Sequence, residues 1–385
     1  MTYLDHNATS PLLPEARVAW LDAEDRFPGN PSSPHRLGTR ADAALDQARQ
    51  RLAAILGCSP PDIVWTSGAT EACNTVLHHT AARASAAPVC VSAIEHPAVL
   101  ETARHLFRDR LHLIPVGRDG VADLAWLTHH LARERPALVA LMAANNETGV
   151  LQPWREAQER CTAAGAAFFC DATQWCGRLP ARGLGACDFV AGSAHKFGGP
   201  RGVGFLKTPS GSPLLPLFHG GQQQEGRRAG TENLPGILAL VAAFEACEAR
   251  LASEGTLPAR RAMRDRFERD LLAALPSATV TGAGAERLWN TINVVMPEVA
   301  DCRQRWVVKL DKAGFAVSTG SACASGSEQP SHVLTAMGRR ADEAGRALRF
   351  SAGWLTPDSA WHDLLRAIVA LQPEMAGTGS VADAR

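Results

Sequence analysis

The sequence predicts an α/β protein with a mostly parallel sheet in its larger part and a smaller α+β part at its C-terminal end. Two observations support this prediction. Up to residue 206, short apolar runs alternate with segments of helical periodicity, which is typical of a parallel sheet with helices on both faces. After Gly255 the chain changes to charged helices and alternating strands, which indicates a second structural unit.

The first 40 residues are rich in turn-forming residues. Residues 5–11 and 28–34 combine Asp, Asn, Gly and Ser with proline, and such segments usually wrap over a site or lead into a domain. We therefore expect residues 1–40 to be irregular. A helix is predicted over residues 39–56, where apolar residues recur at helical spacing and Gly57 provides the stop signal.

Five apolar runs predict buried strands, and the segments between them predict helices. The strands are expected over residues 63–65, 89–91, 138–142, 167–170 and 189–191. The helices are expected over residues 71–84, 97–108 and 153–164. Each strand runs into polar residues. Because open α/β sheets bind ligands at the carboxyl ends of their strands, we expect these polar residues to meet in one crevice.

The C-terminal part has its own series of predicted elements. Helices are expected over residues 258–272, 303–313 and 357–370, and strands over residues 291–295, 315–317 and 348–351. We expect a large domain over residues 15–255 and a small domain made of residues 1–14 and 256–376. The small, polar composition of residues 377–385 predicts a disordered tail.

Composition and charge exclude several classes of function. Thirty-nine acidic residues balance 39 basic ones, so no overall field attracts nucleic acid or a membrane surface, and we expect a small-molecule ligand. The N-terminus lacks the features of a signal peptide, and the longest apolar run is too short to span a bilayer. We therefore expect a cytoplasmic protein whose ten cysteines are reduced.

Lys196 lies on a loop between two apolar runs, beside His195 and a Gly198-Gly199-Pro200 turn. The chain has only four lysines among its 39 basic residues, so arginine supplies nearly all of the positive charge. A lysine on a loop between core strands suggests an amine that loses its proton and attacks a carbonyl, which a guanidinium cannot do. The alternative is an ordinary surface lysine, and this residue alone does not decide between them.

Asp171 and Asn146 follow two other predicted strands and are expected in the same crevice as Lys196. An amine suits a Schiff base, and an aspartate at a buried strand end suits a protonated ring nitrogen. Pyridoxal phosphate requires both of these partners. Taken alone, Asp171 has a structural alternative as the cap of a turn.

Thr70 and His96 extend this hypothesis. The turn that ends at Thr70 opens a helix, where free N–H groups and the helix dipole favour a phosphate, and His96 is available to lie against a planar ring. Thr70 has an alternative role as a helix cap, and His96 has one as a structural histidine before proline. The occurrence of all these residues at strand ends favours the cofactor hypothesis.

Cys323 and Arg349 are candidate residues in the C-terminal part. Cys323 lies in a loop of glycine, serine, alanine and threonine over residues 318–327. We expect this loop to be mobile and its thiol accessible and reactive, although an incidental loop cysteine is the alternative. Arg349 lies in an apolar strand, where it either binds a substrate carboxylate or pairs with an acidic residue.

Nine motifs together resemble those of one known family. They are Tyr3-Leu-Asp-His-Asn-Ala-Thr, Gly29-Asn-Pro-Ser-Ser, Ser67-Gly-Ala-Thr-Glu, Glu95-His-Pro-Ala-Val, Asn145-Asn-Glu-Thr-Gly, Asp171-Ala-Thr-Gln, His195-Lys, Arg227-Arg-Ala-Gly-Thr-Glu-Asn and Ser321-Ala-Cys. From Tyr3 to about Thr356 the chain resembles the cysteine desulfurases, which are pyridoxal-phosphate enzymes of the class V aminotransferase group. The Gly-Ser-Ala-Cys loop around Cys323 is similar to that of the nitrogen-fixation and iron–sulfur-cluster type.

The resemblance implies a pyridoxal-phosphate transferase fold of type I. Its large domain would bind the cofactor, and its small domain would carry the Cys323 loop. The resemblance also implies the roles of single residues around the cofactor ring: Lys196 holds the cofactor as a Schiff base, Asp171 pairs with the pyridine nitrogen, Gln174 contacts the phenolic oxygen and His96 stacks on the ring. Around the phosphate, the implied residues are Ala69, Thr70, Ser193 and His195, with Thr231 reaching the phosphate of the neighbouring subunit. Toward the substrate, Asn146 is implied to contact both cofactor and substrate, Arg349 to bind the substrate carboxylate and Cys323 to accept the sulfur. No metal is implied.

The implied function is conversion of L-cysteine to L-alanine, with the sulfur retained on Cys323 as a persulfide for iron–sulfur clusters or another sulfur-containing cofactor. The implied partners are a second copy of the chain and a sulfur-acceptor or scaffold protein. A selenocysteine lyase or another β-eliminating enzyme would use the same cofactor site and need Cys323 less. An idle scaffold protein is a further alternative, which the complete set of Lys196, Asp171 and His96 disfavours.

Overall fold

A computed structural model describes residues 1–299, 301–320 and 330–376. Its strands are β1 (Thr2–Tyr3), β2 (Ile63–Thr66), β3 (Val89–Ser92), β4 (Leu111–Ile114), β5 (Leu138–Ala140), β6 (Ala167–Asp171), β7 (Phe189–Ser193), β8 (Gly204–Lys207), β9 (Thr279–Val280), β10 (Thr291–Val295), β11 (Phe315–Ala316) and β12 (Ala347–Ser351). Its helices are α1 (Pro14–Arg26), α2 (Arg36–Leu56), α3 (Ala69–Arg83), α4 (Pro97–Phe107), α5 (Leu124–Glu134), α6 (Trp154–Ala164), α7 (Leu234–Ala252), α8 (Thr256–Ala274), α9 (Cys302–Lys312), α10 (His332–Ala336), α11 (Ala341–Ala344) and α12 (Ala360–Ala376).

The central sheet has seven strands in the order β2-β8-β7-β6-β5-β3-β4. The five strands from β7 to β4 are parallel to one another, and β8 runs antiparallel to both β2 and β7. The carboxyl ends of β3, β5, β6 and β7 therefore meet at one edge, as the sequence predicts.

Two apolar clusters cover the faces of this sheet. On one face Leu52 of α2 and Phe244 of α7 belong to the same buried cluster as Phe205 of the sheet. On the other face Val76 of α3 and Leu100 of α4 are fully or almost fully buried with the apolar residues of β3. Burial of both faces explains why the strands read as continuous apolar runs.

Helix α1 contradicts the expected irregular structure of residues 1–40. Pro14 occupies the first turn of this helix, where its fixed φ and missing N–H are tolerated. The buried residues of α1 are only Ala16 and Ala23, and the helix packs against α7. Because two alanines form a weak apolar stripe, the periodicity of the sequence does not reveal the helix.

Seven further elements were not predicted: β1, β4, β9, α5, α7, α10 and α11. Helix α7 is apolar around most of its circumference, which obscures helical periodicity, and β4 is an edge strand with half-exposed residues. The predicted strands of the large sheet otherwise match the structure to within two residues, the largest differences being at the ends of β5 and β7.

The C-terminal part contains a three-stranded antiparallel sheet in the order β12-β10-β9, and β1 pairs in parallel with β11. A separate apolar cluster that includes Phe267, Trp306 and Phe350 packs against it. The N-terminal segment therefore joins this part of the chain, while the domain limits given above stay a prediction. In the described part of the chain, no helix has both the length and the apolar character needed to cross a membrane.

Candidate active site

A cavity of about 750 Å³ lies at the carboxyl edge of the central sheet. The predicted site residues that line it are Ala69, Thr70, His96, Asn146, Asp171, Gln174, Ser193, His195, Lys196 and Arg349. Thr231 is exposed and does not belong to this lining. Cys323 lies outside the described residues.

Lys196 is half-buried on a short turn that follows β7. Its Nζ donates hydrogen bonds to the backbone oxygens of Asn7 and Ala8, both at 2.8 Å. The N-terminal segment thereby forms one wall of the site beside the amine. Sequence reasoning missed this contact, although the Asp-His-Asn-Ala-Thr motif that contains both residues was part of the resemblance.

Asp171 ends β6 and is 6% exposed. One of its carboxylate oxygens, Oδ1, accepts the Thr173 N–H at 2.9 Å. Gln174 is also buried, and its Nε2 donates to the Asn7 backbone oxygen at 3.0 Å. The Gln174 Oε1 atom is buried without a hydrogen-bond partner among the described residues, which is costly for a polar atom unless a ligand satisfies it.

His96 caps the N-terminus of α4 by accepting the Ala98 N–H on Nδ1 at 3.1 Å. This bond leaves the proton of the neutral ring on Nε2. Burial lowers the pKa of His96; the charge of Asp171 opposes that change, and the charges of Lys196 and His332 add to it. His96 is therefore neutral at about pH 7, since an unperturbed histidine already titrates at about 6.5.

The N-terminus of α3 forms another part of the cavity wall. Ala69 and Thr70 lie in the first turn of this helix, whose initial N–H groups have no partner within the helix. Strand β8 approaches this turn closely at Gly204, where an added Cβ would lie 2.7 Å from the Gly68 Cα and 2.5 Å from the Gly192 backbone oxygen. Only glycine fits there.

Ser193 and His195 flank the same region from the end of β7. Ser193 is 4% exposed, and His195 Nδ1 lies 3.1 Å from the Thr9 Oγ1. Burial, followed by the positive charge of Lys196, lowers the pKa of His195 to about 4. The ring is therefore a neutral hydrogen-bonding group at physiological pH.

Arg349 is 1% exposed and pairs with an acidic residue of the N-terminal segment. Its Nη2 donates to Asp5 Oδ1 at 2.5 Å, and its Nη1 donates to the backbone oxygens of Gly320 at 2.8 Å and Asn146 at 3.1 Å. The predicted alternative of an acid partner is therefore present. Arg349 also lines the cavity, so its guanidinium lies where it is available to a ligand.

The comparisons with known proteins agree on one family. A sequence model described as "Aminotransferase class-V" matches residues 2–357. The chain belongs to the class-V aminotransferase family. It is similar to a cysteine desulfurase of Cereibacter sphaeroides, with 43% identity over 92% of this chain and 91% of the relative. It is also similar to a cysteine desulfurase of Klebsiella pneumoniae, with 41% identity over 91% of this chain and 87% of the relative.

Solved structures of related proteins confirm the predicted fold. A NifS-like protein superposes with a TM-score of 0.88 at 30% identity and covers 97% of this chain and all of its own. A NifS-like protein from Rickettsia africae gives a TM-score of 0.87 at 28% identity, over 97% of this chain and 99% of its own. The chain thus has the α/β fold of these class-V proteins.

Class-V enzymes of this kind use pyridoxal phosphate, and the cavity residues fit that cofactor. The cavity offers an amine at Lys196, a buried carboxylate at Asp171 and a helix N-terminus at Ala69, which suit an aldehyde, a ring nitrogen and a phosphate in turn. The unpartnered Oε1 of Gln174 adds a polar atom that needs a ligand or water. The protein is accordingly a pyridoxal-phosphate-dependent enzyme.

Nine of the ten cysteines lie in the described part of the chain, and all but the half-buried Cys58 are buried. Burial raises the pKa of the thiol to about 11 in Cys58 and Cys302, to about 12 in Cys90, Cys161 and Cys247, and well above its ordinary range in Cys73, Cys170 and Cys176. Because the thiolate is the reactive form, these eight cysteines are poor nucleophiles at neutral pH.

Glu95 is a further buried acid beside the site that sequence reasoning did not single out. It is 1% exposed, its Oε1 accepts the Met142 N–H at 2.6 Å, and its Oε2 has no partner among the described residues. Burial, followed by the charge of Asp171, raises the pKa of Glu95 well above its ordinary range. The folded protein therefore holds a proton on Glu95 that the unfolded chain releases above about pH 4.3.

Glu95→Gln is expected to stabilise the protein increasingly as the pH rises. The wild-type protein loses stability between about pH 4.3 and the raised pKa of Glu95, because over that range the folded state binds one more proton than the unfolded state. Glutamine keeps the acceptor for the Met142 N–H and has no proton to lose. The melting temperatures of the two proteins, compared at about pH 5 and about pH 8, measure this difference.

Glu156→Gln is the control, since Glu156 is exposed on α6. The difference in melting temperature between Glu156→Gln and the wild-type protein should stay nearly constant with pH. If the difference for Glu95→Gln is also constant with pH, the result contradicts a protonated Glu95.

Proposed function

We propose that this protein is a cysteine desulfurase that converts L-cysteine to L-alanine and keeps the sulfur on Cys323 as a persulfide. The substrate carbon–sulfur bond breaks, a sulfur–sulfur bond forms on Cys323, and L-cysteine plus one enzyme thiol give L-alanine plus one persulfide. The observation that carries the proposal is the placement of Lys196, Asp171 and His96 around one cavity in a chain 43% identical to a curated cysteine desulfurase.

Pyridoxal phosphate, when bound, supplies an electron-withdrawing ring that stabilises negative charge at the substrate α-carbon. Asp171 would hold the proton of the ring nitrogen through a charge-assisted hydrogen bond. Lys196 would hold the cofactor and move a proton at the substrate carbon, and the neutral His96 would lie against the ring. The second N–H of the Gln174 amide, whose other N–H donates to Asn7, would donate to the phenolic oxygen.

The remaining cavity residues bind the charged ends of cofactor and substrate. Ala69 and Thr70 offer N–H groups of α3 to the phosphate, and Ser193 and His195 offer side-chain donors from the end of β7. Asn146 and Arg349 bind the substrate carboxylate. Since Arg349 is paired with Asp5, this carboxylate shares a guanidinium whose charge is already partly balanced.

We also propose that the chain acts as a homodimer in the cytoplasm and passes its sulfur to an acceptor or iron–sulfur scaffold protein. Thr231 supports the dimer, because it is exposed outside the cavity of its own chain and is thus available to the phosphate site of a second copy. The raised pKa values of the buried cysteines support Cys323 as the sulfur carrier, since they leave few competing thiolates.

The experiment that tests the proposed activity is incubation of the purified, cofactor-loaded protein with L-cysteine. Alanine and protein-bound persulfide are measured together in a single turnover without reductant. Equal amounts of the two products are expected. Free sulfide with alanine absent, or with pyruvate in its place, contradicts the desulfurase reaction.

Asp171→Asn is expected to keep bound cofactor and to lower turnover by about 10- to 100-fold. The variant loses the charge that holds the proton on the ring nitrogen, and a charge-assisted hydrogen bond is worth about 1.5–3 kcal/mol. Alanine formation and cofactor content are measured on the same sample. Asp188→Asn is the control and should remain close to wild type, because Asp188 is another aspartate beside β6, accepts the Phe168 N–H at 2.8 Å and does not line the cavity.

A further inference from the structure

Besides a hydrogen bond from Arg227 Nη1 to the Pro61 backbone oxygen at 2.5 Å, two contacts attach the loop of residues 222–231, which carries Thr231, to the body of its own chain. At the first, the Gln224 side chain accepts the Trp65 N–H at 2.7 Å and donates to the Trp65 backbone oxygen at 2.9 Å. The amide of Gln224 thus pairs with β2, the edge strand of the sheet, as a neighbouring strand would. Gln224 and Glu225 lie in left-handed backbone conformations that such residues rarely adopt.

The second contact joins Arg228 to Glu71. Arg228 Nε lies 3.0 Å from Glu71 Oε1, and Arg228 Nη2 lies 3.3 Å from Glu71 Oε2. Glu71 Oε2 also accepts the Ser67 N–H at 2.7 Å. The Glu71 side chain is 5% exposed and the Arg228 side chain 23% exposed, so this is a largely buried ion pair in which both carboxylate oxygens are satisfied.

The position of Glu71 makes its charge important for the cavity. Glu71 lies in the first turn of α3, and both Glu71 and Ser67 line the cavity. Burial acts to raise the pKa of Glu71, but hydrogen bonds from Arg228 and Ser67 outweigh it and leave the pKa below its ordinary value. A negative charge therefore stands at the end of the helix where the proposed function places the cofactor phosphate, and it would repel that phosphate if unpaired.

We propose that Arg228 is a positioning residue for the phosphate end of the cofactor site, acting through Glu71. The Arg228 guanidinium holds the Glu71 carboxylate against the loop and balances the negative charge of that carboxylate. The N-terminus of α3 therefore stays favourable for an anion. The proposal rests on the proposed function, which places the phosphate there. It also implies that the loop carrying Thr231 is joined through one ion pair to the phosphate site of its own chain.

The test compares two ligands that differ only in the phosphate. The apoprotein is titrated with pyridoxal phosphate and with pyridoxal, and the ratio of the two affinities is determined for each variant. The covalent link to Lys196 is common to both ligands and cancels in this ratio. In Arg228→Gln the affinity for pyridoxal phosphate should fall by about 5- to 30-fold, while the affinity for pyridoxal should change by less than about twofold.

The double variant Glu71→Gln with Arg228→Gln distinguishes charge balance from a general loss of structure. Removing the carboxylate together with its partner leaves no unpaired charge. The ratio of pyridoxal phosphate to pyridoxal affinity should therefore return most of the way to the wild-type value. Arg287→Gln is the matched control, since it breaks another buried Arg–Glu pair, with Glu268, that does not line the cavity. It should leave the ratio unchanged.

Arg228→Lys keeps the test decisive if Arg228→Gln does not fold, because lysine retains the positive charge but lacks the two-pronged guanidinium. Its ratio of pyridoxal phosphate to pyridoxal affinity should lie between those of the wild-type protein and Arg228→Gln. An unchanged ratio in a folded Arg228 variant overturns the proposal, as does a double variant no better than the single one. If the wild-type apoprotein binds neither ligand, the proposed function itself fails.

Discussion

Lys196→Ala is expected to lack the visible absorbance of the lysine-bound cofactor and to lose at least about 1000-fold in the turnover of L-cysteine. The Lys196 amine reaches the cavity, where the backbone oxygens of Asn7 and Ala8 hold it. In the proposed function a single group both holds the cofactor and moves a proton at the substrate carbon, so we expect its removal to affect two steps. The absorption spectrum and the rate of alanine formation measure the two effects.

Lys207→Ala is the matched control for this substitution. Lys207 is a buried lysine at the end of β8 in the central sheet, and its Nζ donates to the Cys187 backbone oxygen at 2.6 Å. It does not line the cavity, so the variant should keep the yellow colour and most of the activity, provided that circular dichroism shows it to be folded. A Lys196→Ala protein with an unchanged visible spectrum would show that another group binds the cofactor.

The sequence predicted the arrangement of the cavity because its main residues follow local signals. Asp171 and Lys196 come directly after apolar strands, and Thr70 opens a helix after a strand. Parallel strands align their carboxyl ends, so a pattern read along the chain also fixes which residues share an edge. The structure brings these residues to one cavity, while the role of each stays a prediction.

Contacts between positions far apart in the chain could not be predicted from the sequence pattern. Arg349 and Asp5 are 344 positions apart, and Lys196 and Asn7 are 189 apart. No periodicity or motif spacing relates such residues, because their contact depends on how the N-terminal segment folds over both parts of the chain. The ion pair between Arg228 and Glu71 was not predicted for the same reason, since it joins a loop to a helix 157 positions away.

Cys323→Ser is expected to bind the cofactor and L-cysteine normally but to form no protein persulfide, with alanine formation at least about 1000-fold slower. Serine keeps the size of cysteine and removes the nucleophilic sulfur. Cys323 lies outside the described residues, yet the positions on either side of residues 321–329 are at the cavity. Gly320 bonds to Arg349 through its backbone oxygen, and Pro330 lines the cavity. Alanine release and persulfide detected by mass spectrometry measure the effect.

Cys58→Ser is the control for Cys323→Ser, because Cys58 is the half-buried thiol among the described cysteines and its pKa is raised to about 11. The Cys58 variant should form alanine and persulfide like the wild-type protein. If Cys323→Ser still makes alanine from cysteine at close to the wild-type rate, the sulfur does not pass through Cys323. The sulfur would then leave on another acceptor, as in an enzyme of the selenocysteine-lyase type, and selenocysteine would become the substrate to assay. Pyruvate with free sulfide in place of alanine would instead indicate a β-eliminating lyase.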